Sequence, residues 1–344
     1  MQALFQGKAK TGRATGRLTL KDVAARADVS LITASRALRG VGRVSPELAS
    51  RVKKAAEELN YVPDPAARAL ASSHSTAVTV LVPTLNNPAT GEYLEAIHTV
   101  LLAEGFQVLI GDTHYSREQE ERLLRNYLSH RPKGLIVTGF DRNEESRGLI
   151  ASSGIPCVHL LELANSPGIH CVGFNQVEAA ETMVRYLLST GRRRIAFGAA
   201  IDPRAMLRAE GYRRAMKETG LYDPALEFLR AGPASIRLGV ELFNEMRARH
   251  SDIDGIFFSN DDLAHGALFT AFRAGIKVPQ QIAVAGYNNL EEGAYTIPPL
   301  TTIHTSRAEI GRRAAQMLVA LMRGEKVDEP VVDVGYQLVI RESA

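Results

Sequence analysis

Positive charge is gathered at one end of this chain. Residues 1–72 carry 13 Lys and Arg against 6 Asp and Glu, a net +7, whereas the remainder is net −4. A segment so charged suits neutralisation of a phosphate backbone. Within it, Arg36 can donate two parallel hydrogen bonds to O6 and N7 of a guanine, or clamp a phosphate. Leu31 and Ile32 offer no hydrogen bonds. Side chains of that kind can meet only apolar groups, a thymine methyl or a neighbouring helix.

Residue patterns for catalysis are missing. There is no G-x-G-x-x-G, no G-x-x-x-x-G-K-[ST] and no G-x-S-x-G between strands and helices. Asp261-Asp262 could form an acid pair, but adjacent residues at a strand-to-helix turn point apart, and ligand contact with N-capping suits them better. Cys157 and Cys171 give no disulfide framework and read as buried thiols; no His/Cys cluster has zinc spacing. The expectation is a binding protein, not an enzyme, with no cofactor and no metal.

The 344 residues suit two or three domains, and 45% hydrophobic with 23% charged residues describe an ordinary globular protein. No apolar run approaches the ~20 residues needed to span a bilayer, and no signal-peptide pattern opens the chain. A cytoplasmic protein without membrane contact is expected. Met1 to Gly16 lacks apolar periodicity, and residues 1–17 read as a disordered basic arm; Leu4-Phe5-Gln6-Gly7 also resembles the scar of a cleavable tag.

The elements that must position the basic face follow. A Thr19-capped helix, with Asp22 three residues on, meets a tight turn at Asp28-Val29-Ser30, and a second helix starts at Ser30. Two short helices so joined form a helix-turn-helix, whose second helix fits the major groove. A third helix starts at Ser45-Pro46-Glu47, and Leu48, Val52, Ala55, Ala56 and Leu59 recur at helical spacing to close a small core. Asp64 and Pro65 then suit an N-cap and first helical position. The Ala-rich stretch after them is too short for a stable isolated helix.

T-L-K-D-V-A, V-S-x-x-T-x-S-R-x-L, V-S-x-x-x-x-x-x-V and L-N-Y-x-P-x-x-x-A-x-x-L occur here in one order over about fifty residues. In that order and spacing the chain resembles the LacI/GalR family of bacterial transcriptional repressors. The resemblance implies a helix-turn-helix head at 18–63, a hinge at 64–76 and an effector-binding and dimerisation domain at 77–344. It puts Leu31, Ile32 and Arg36 at base-contacting positions, and Thr19, Ser30, Ser35, Arg39, Arg43 and Ser45 near the phosphate backbone. It implies that Leu70 wedges into a central minor-groove step. The expected partner is a pseudo-palindromic double-stranded operator bound by a homodimer, with a tetramer still open, and the protein would sit on the nucleoid.

From Ala77 onward, apolar runs such as Val78–Val82, Leu135–Val137 and Gly255–Phe258 alternate with amphipathic stretches such as Arg117–Leu128 and Val177–Leu188. That alternation predicts α/β architecture with parallel, doubly wound sheets. The resemblance implies two periplasmic-binding-protein-like lobes, with the chain returning to the first near Thr301–Ile310. A ligand would bind between them, beyond the carboxyl ends of strands.

Family motifs fall there: Arg208-Ala209-Glu210-Gly211-Tyr212, Ser259-Asn260-Asp261 and Ala285-Gly286-Tyr287-Asn288-Asn289, the last with amides where the family has acids. Arg204 and Arg307 should border the cleft, and Ala89-Thr90 stand where the family often has rings. An arginine-rich cleft that has lost an acid at Asn288 suits an anionic ligand. With E-A-A at 178–180 and T-x-R at 305–307, the chain looks most like the gluconate and 2-ketogluconate repressor branch. The expected effector is therefore a sugar acid acting as inducer, held by Thr90, Arg204, Arg208, Asn260, Asn288 and Arg307. A neutral sugar, a co-repressing ligand, ion-pairing roles for Arg204 and Arg307, and a solute receptor are the alternatives.

Overall fold

The computed structural model describes residues 18–62 and 76–344, and the chain divides into two compact units between positions 75 and 76. The first described unit is three helices: α1 (Leu20–Arg26), α2 (Leu31–Arg39) and α3 (Pro46–Glu58). Their starts are where polar side chains can satisfy free N–H groups. Ser30 Oγ accepts from Thr33 N–H at 3.1 Å and Ser45 Oγ from Leu48 N–H at 3.3 Å. At α1 the Asp22 carboxylate accepts from both N–H and Oγ1–H of Thr19, each at 2.7 Å.

The turn after α1 places Asp28 at φ +50°, a conformation Asp tolerates better than most residues. Arg51 on α3 holds this turn by donating to the carbonyls of Ala27 and Asp28. Small side chains make up the core, with Val23, Ala34, Ala37, Val52 and Ala55 buried. Leu48, expected in that core, is only half-buried; Ala49 packs there instead.

The second unit holds two parallel sheets. The larger has strand order β11-β5-β4-β3-β1-β2, formed by β1 (Ala77–Val82), β2 (Gln107–Asp112), β3 (Gly134–Thr138), β4 (Cys157–Leu160), β5 (Cys171–Gly173) and β11 (Val331–Asp333). The smaller, β7-β6-β8-β9, comprises β6 (Ile195–Ala200), β7 (Glu227–Arg230), β8 (Gly255–Phe258) and β9 (Ala283–Ala285). Central strands β3, β6 and β8 are buried almost throughout, as continuous apolar runs covered on both faces must be. Cys171 is fully buried, and at the start of β4 Cys157 is half-buried as a residue, with burial of its thiol raising the pKa.

Helices α4 (Pro88–Ala103), α5 (Arg117–Ser129), α6 (Glu144–Ser153) and α11 (Arg307–Met322) belong with the first lobe. The second carries α7 (Gln176–Ser189), α8 (Pro203–Glu218), α9 (Ile236–Arg249) and α10 (Asp261–Arg273). The chain passes between lobes three times: after β5, after β10 (Thr302–Thr305), and after β11 into β12 (Tyr336–Val339), which pairs antiparallel with β10. One apolar cluster takes in side chains of both sheets, among them Val80, Leu160, Phe197 and Phe257.

Two close helix contacts set the site. A Cβ on Gly311 would stand 2.3 Å from the Tyr93 carbonyl oxygen on α4, and one on Gly211 would stand 2.2 Å from the Val177 carbonyl oxygen on α7. Glycine at those two positions lets α11 lie on α4, and α8 on α7. Arg307 and Arg208 are thereby fixed one turn from each contact. Among the described residues, no helix is long and apolar enough to cross a membrane.

Candidate functional site

On the helical head, the start of α2 presents apolar side chains outward. Leu31 is 43% exposed and Ile32 64%, so packing against a neighbouring helix is not what they do. Ala34 and Ala37 turn inward, as the 3.6-residue period requires. Arg36, Arg39 and Arg43 are exposed, and Arg39 Nε is steered by the Ser35 carbonyl at 3.2 Å. Ser30 and Ser45 are exposed caps and Ser35 is half-buried. Among the described residues Thr19 serves the cap, its N–H and Oγ1–H both donating to Asp22. Leu70, the hinge from 64 to Ser75 and the basic arm 1–17 lie outside the described residues.

In the second unit, Thr90, Arg204, Arg208, Asn260, Asn288 and Arg307 all line one cavity that opens to solvent. They arrive from separate places: the start of α4, the start of α8, the turn after β8, the turn after β9 and the crossover after β10. All six are buried to better than nine-tenths. Each lies beyond the carboxyl end of a strand, where loops of both lobes converge.

The three arginines differ in their company. Arg208 Nε donates to Gln176 Oε1 at 3.0 Å and Nη1 to the Ser259 carbonyl at 2.5 Å, and its guanidinium stacks 3.9 Å from the Tyr287 ring centroid. These partners are all neutral. Tyr287 Oη donates to the same Gln176 oxygen at 3.1 Å, which fixes the amide's orientation. A buried cation without an anion is costly, and the cavity it faces has a single carboxylate in its lining, Asp202.

Arg204 is already balanced. It stands 3.9 Å from Glu162 and from Asp202, and 5.6 Å from the Tyr115 ring centroid. Burial opposes its charge, but Asp202, Tyr115 and Glu162 outweigh that and hold its pKa above the usual arginine value. Asp202 meanwhile caps α8, its Oδ1 accepting from the N–H groups of Arg204 and Ala205. Burial raises the pKa of Glu162.

Arg307, the first residue of α11, donates through Nη1 to the Asn288 carbonyl and to Thr305 Oγ1 (2.9 Å), and through Nη2 to Glu92 Oε1 on α4 (2.6 Å). Its Nε is buried with no partner. Asn288 sits at φ +118°, a strained setting for a residue with a Cβ. Two bonds brace it: its N–H to the Ile303 carbonyl at 2.9 Å, and its own carbonyl to Arg307.

Asp261 is a correction. It neither caps α10 nor lines the cavity; Asn260 is the cap, accepting from Leu263 N–H at 3.1 Å. The fully buried Asp261 carboxylate instead accepts from Thr302 Oγ1 and Leu290 N–H, both at 2.7 Å, and pins the crossover to the second lobe. Burial raises its pKa.

Motif reasoning missed several cavity residues. Tyr93 lies one helical turn beyond Ala89, and its buried Oη has no hydrogen-bond partner; burial pushes the phenol's pKa up to about 12. Tyr115 enters from the loop after β2, at φ +58° behind His114 at +50°. With Phe174 these rings supply the aromatic character that Ala89-Thr90 does not. Gln176 had a signal of sorts, since Asn175 caps the helix it begins. Among the described residues, no three His, Cys, Asp or Glu side chains form a metal-binding group.

Comparison with known proteins adds to this geometry. Residues 19–64 match the family described as bacterial regulatory proteins, lacI family, and residues 184–344 match a periplasmic binding protein-like domain. The chain is 54% identical over 335 residues to the HTH-type transcriptional regulator GntR of Pseudomonas aeruginosa, covering 97% of this chain and 98% of that one. Among solved structures, a LacI-family transcriptional regulator from Silicibacter pomeroyi is 34% identical with TM-score 0.88, covering 95% of this chain and 99% of that one. The transcription regulator GntR from Chromobacterium violaceum is 42% identical with TM-score 0.76, covering 78% of this chain and 98% of that one.

Proposed function

The chain belongs to the LacI family of bacterial transcriptional regulators, and from that premise we propose that a sugar acid in the cleft of its second unit governs its grip on operator DNA. It is a DNA-binding transcriptional repressor. The effector class is a six-carbon aldonic or ketoaldonic acid, with gluconate and 2-ketogluconate the first candidates.

One observation carries this reading. Arg208 is a buried guanidinium whose hydrogen-bond and stacking partners are all neutral, and it faces a cavity with one carboxylate in its lining. A ligand carboxylate there forms charge-assisted hydrogen bonds and removes the cost of an unmatched buried charge. The amides of Asn260 and Asn288, Thr90 Oγ1 and the unpartnered Tyr93 Oη are available to a hydroxylated carbon chain.

In the mechanism, ligand in the cleft favours one pose of the two lobes over another. That choice decides whether the connector at 64–76 folds against the operator, where Leu70 enters the minor groove. Leu31, Ile32 and Arg36 read base edges, while Ser30, Ser35, Arg39, Arg43 and Ser45 set register on the backbone. Binding lowers operator affinity, so the acid is an inducer. The unit works as a homodimer on a pseudo-palindromic site; exposed Phe269, Phe272, Tyr295 and Ile297 on the second lobe are the apolar surface for that pairing. The protein acts in the cytoplasm as a binder without catalytic turnover.

A mobility shift with a labelled operator tests this. Gluconate or 2-ketogluconate should release the DNA while glucose and purines do not. Tighter DNA binding in the acid would reverse the sign, and release by a neutral sugar alone would remove the acid.

A further inference from the structure

Arg307 carries one partner that differs from the rest. Nη1 is fixed by the Asn288 carbonyl, on the turn after β9, and by Thr305 Oγ1, at the end of β10. The side-on edge, formed by Nε–H and Nη2–H, is the edge that matches a carboxylate in two parallel bonds. Glu92 uses only half of it, meeting Nη2 at 2.6 Å, while Nε is buried without a partner. The two side chains also differ in setting: Arg307 is 4% exposed and Glu92 46%. The cation is built in, whereas its anion is half-exposed, so that water can solvate it on release. An ion pair with one member so exposed is weak.

We propose that Glu92 is a built-in stand-in for the effector carboxylate, and that an acid ligand binds Arg307 by displacing it. This rests on the sugar-acid reading above and deepens it. The incoming carboxylate takes both hydrogens of the Arg307 side-on edge, replacing a single bond by two, while its remaining lone pairs accept from Arg208, which lines the same cavity, and Glu92 turns to solvent. No such exchange exists for a neutral polyol, which leaves the Glu92–Arg307 pair intact. Glu92 therefore sets the affinity threshold for acids in particular. It is a specificity-determining residue outside the cavity lining, and no sequence motif marks it.

Calorimetric titration of the full chain with D-gluconate and with D-glucitol, the same carbon chain without the carboxylate, tests the idea. Glu92→Gln and Glu92→Ala, both compatible with a helix interior, remove the competing charge. The expected result is roughly three- to fivefold tighter gluconate binding in both variants, the scale of a half-exposed ion pair, with glucitol affinity unmoved. Unchanged or weaker gluconate binding in the variants, with wild type binding normally, would overturn the exchange and leave the sugar-acid reading standing. An equal gain for glucitol would also overturn it, by showing a change of cavity shape. Absence of gluconate binding in wild type and variants alike would remove both.

Discussion

Arg204, at the start of a second-lobe helix, holds its guanidinium 5.6 Å from the ring centroid of Tyr115, which enters from the first lobe. The contact joins the lobes across the mouth of the cavity, and both side chains line it. The loop that carries Tyr115 keeps two consecutive non-glycine residues at positive φ, so strain is accepted to aim the ring. Tyr115→Ala should weaken effector affinity by about three- to fivefold, the scale of a partly exposed cation–π contact, and Tyr115→Phe should retain most of it. Titration of the effector against both variants checks this; equal losses would assign the effect to the hydroxyl instead.

Asp261 and Thr302 give a stability prediction. Their 2.7 Å bond ties the second lobe to the crossover strand, and both residues are fully buried. Thr302→Val keeps the shape and removes the donor, leaving a buried carboxylate oxygen with less company. A loss of about 1–3 kcal/mol is expected in denaturant unfolding of the full chain. No loss would mean that Leu290 N–H satisfies the carboxylate unaided.

On the head, Asp22 predicts a pH dependence. The bonds from Thr19 Oγ1–H and N–H hold its pKa below the ordinary value of 3.8. A depressed folded pKa gives stability that is present above the unfolded value and is lost as pH falls through the folded one. Amide exchange in the first helix should therefore accelerate as pH drops below about 4, beyond the intrinsic trend. In Asp22→Ala that extra acid sensitivity should vanish, along with about 1 kcal/mol of stability at neutral pH.

Base reading separates by residue. Arg36→Ala should relax preference for guanine at one position of each half-site, at about 1–3 kcal/mol, while Ile32→Ala should lose discrimination for a thymine methyl. Selection of operator sequences by each variant reads this out. A uniform loss across sequences, with a shallower salt dependence, would make Arg36 a phosphate contact instead.

How much of this was legible in the sequence depends on distance along the chain. Thr19, Ser30 and Ser45 announce helix starts because capping is local, decided within three residues. Arg208, Asn260, Asn288 and Arg307 were legible because each sits in a short family motif, whereas Thr90 and Arg204 were placed by the resemblance alone. Tyr93, Tyr115 and Glu92 were not. The roles of Tyr115 and Glu92 arise from contacts 89 and 215 positions away, with Arg204 and Arg307, and no local pattern encodes these. Asp261 was misread for the same reason: its partner Thr302 is 41 residues on, so capping looked like the better use of a carboxylate beside Asn260. Short strands such as β5 and β7, three and four residues long, carry too little alternation to stand out.

The central claim joins the cleft to the DNA, and Arg208→Met tests it most directly, because Met fills the space without the charge. Operator dissociation should be followed for wild type and variant, with and without D-gluconate. Gluconate should speed release from wild type and leave the variant's release unchanged, while both bind operator alike in its absence. If gluconate releases the variant as fast as wild type, or changes neither, the buried guanidinium is not where an acid takes hold of this repressor.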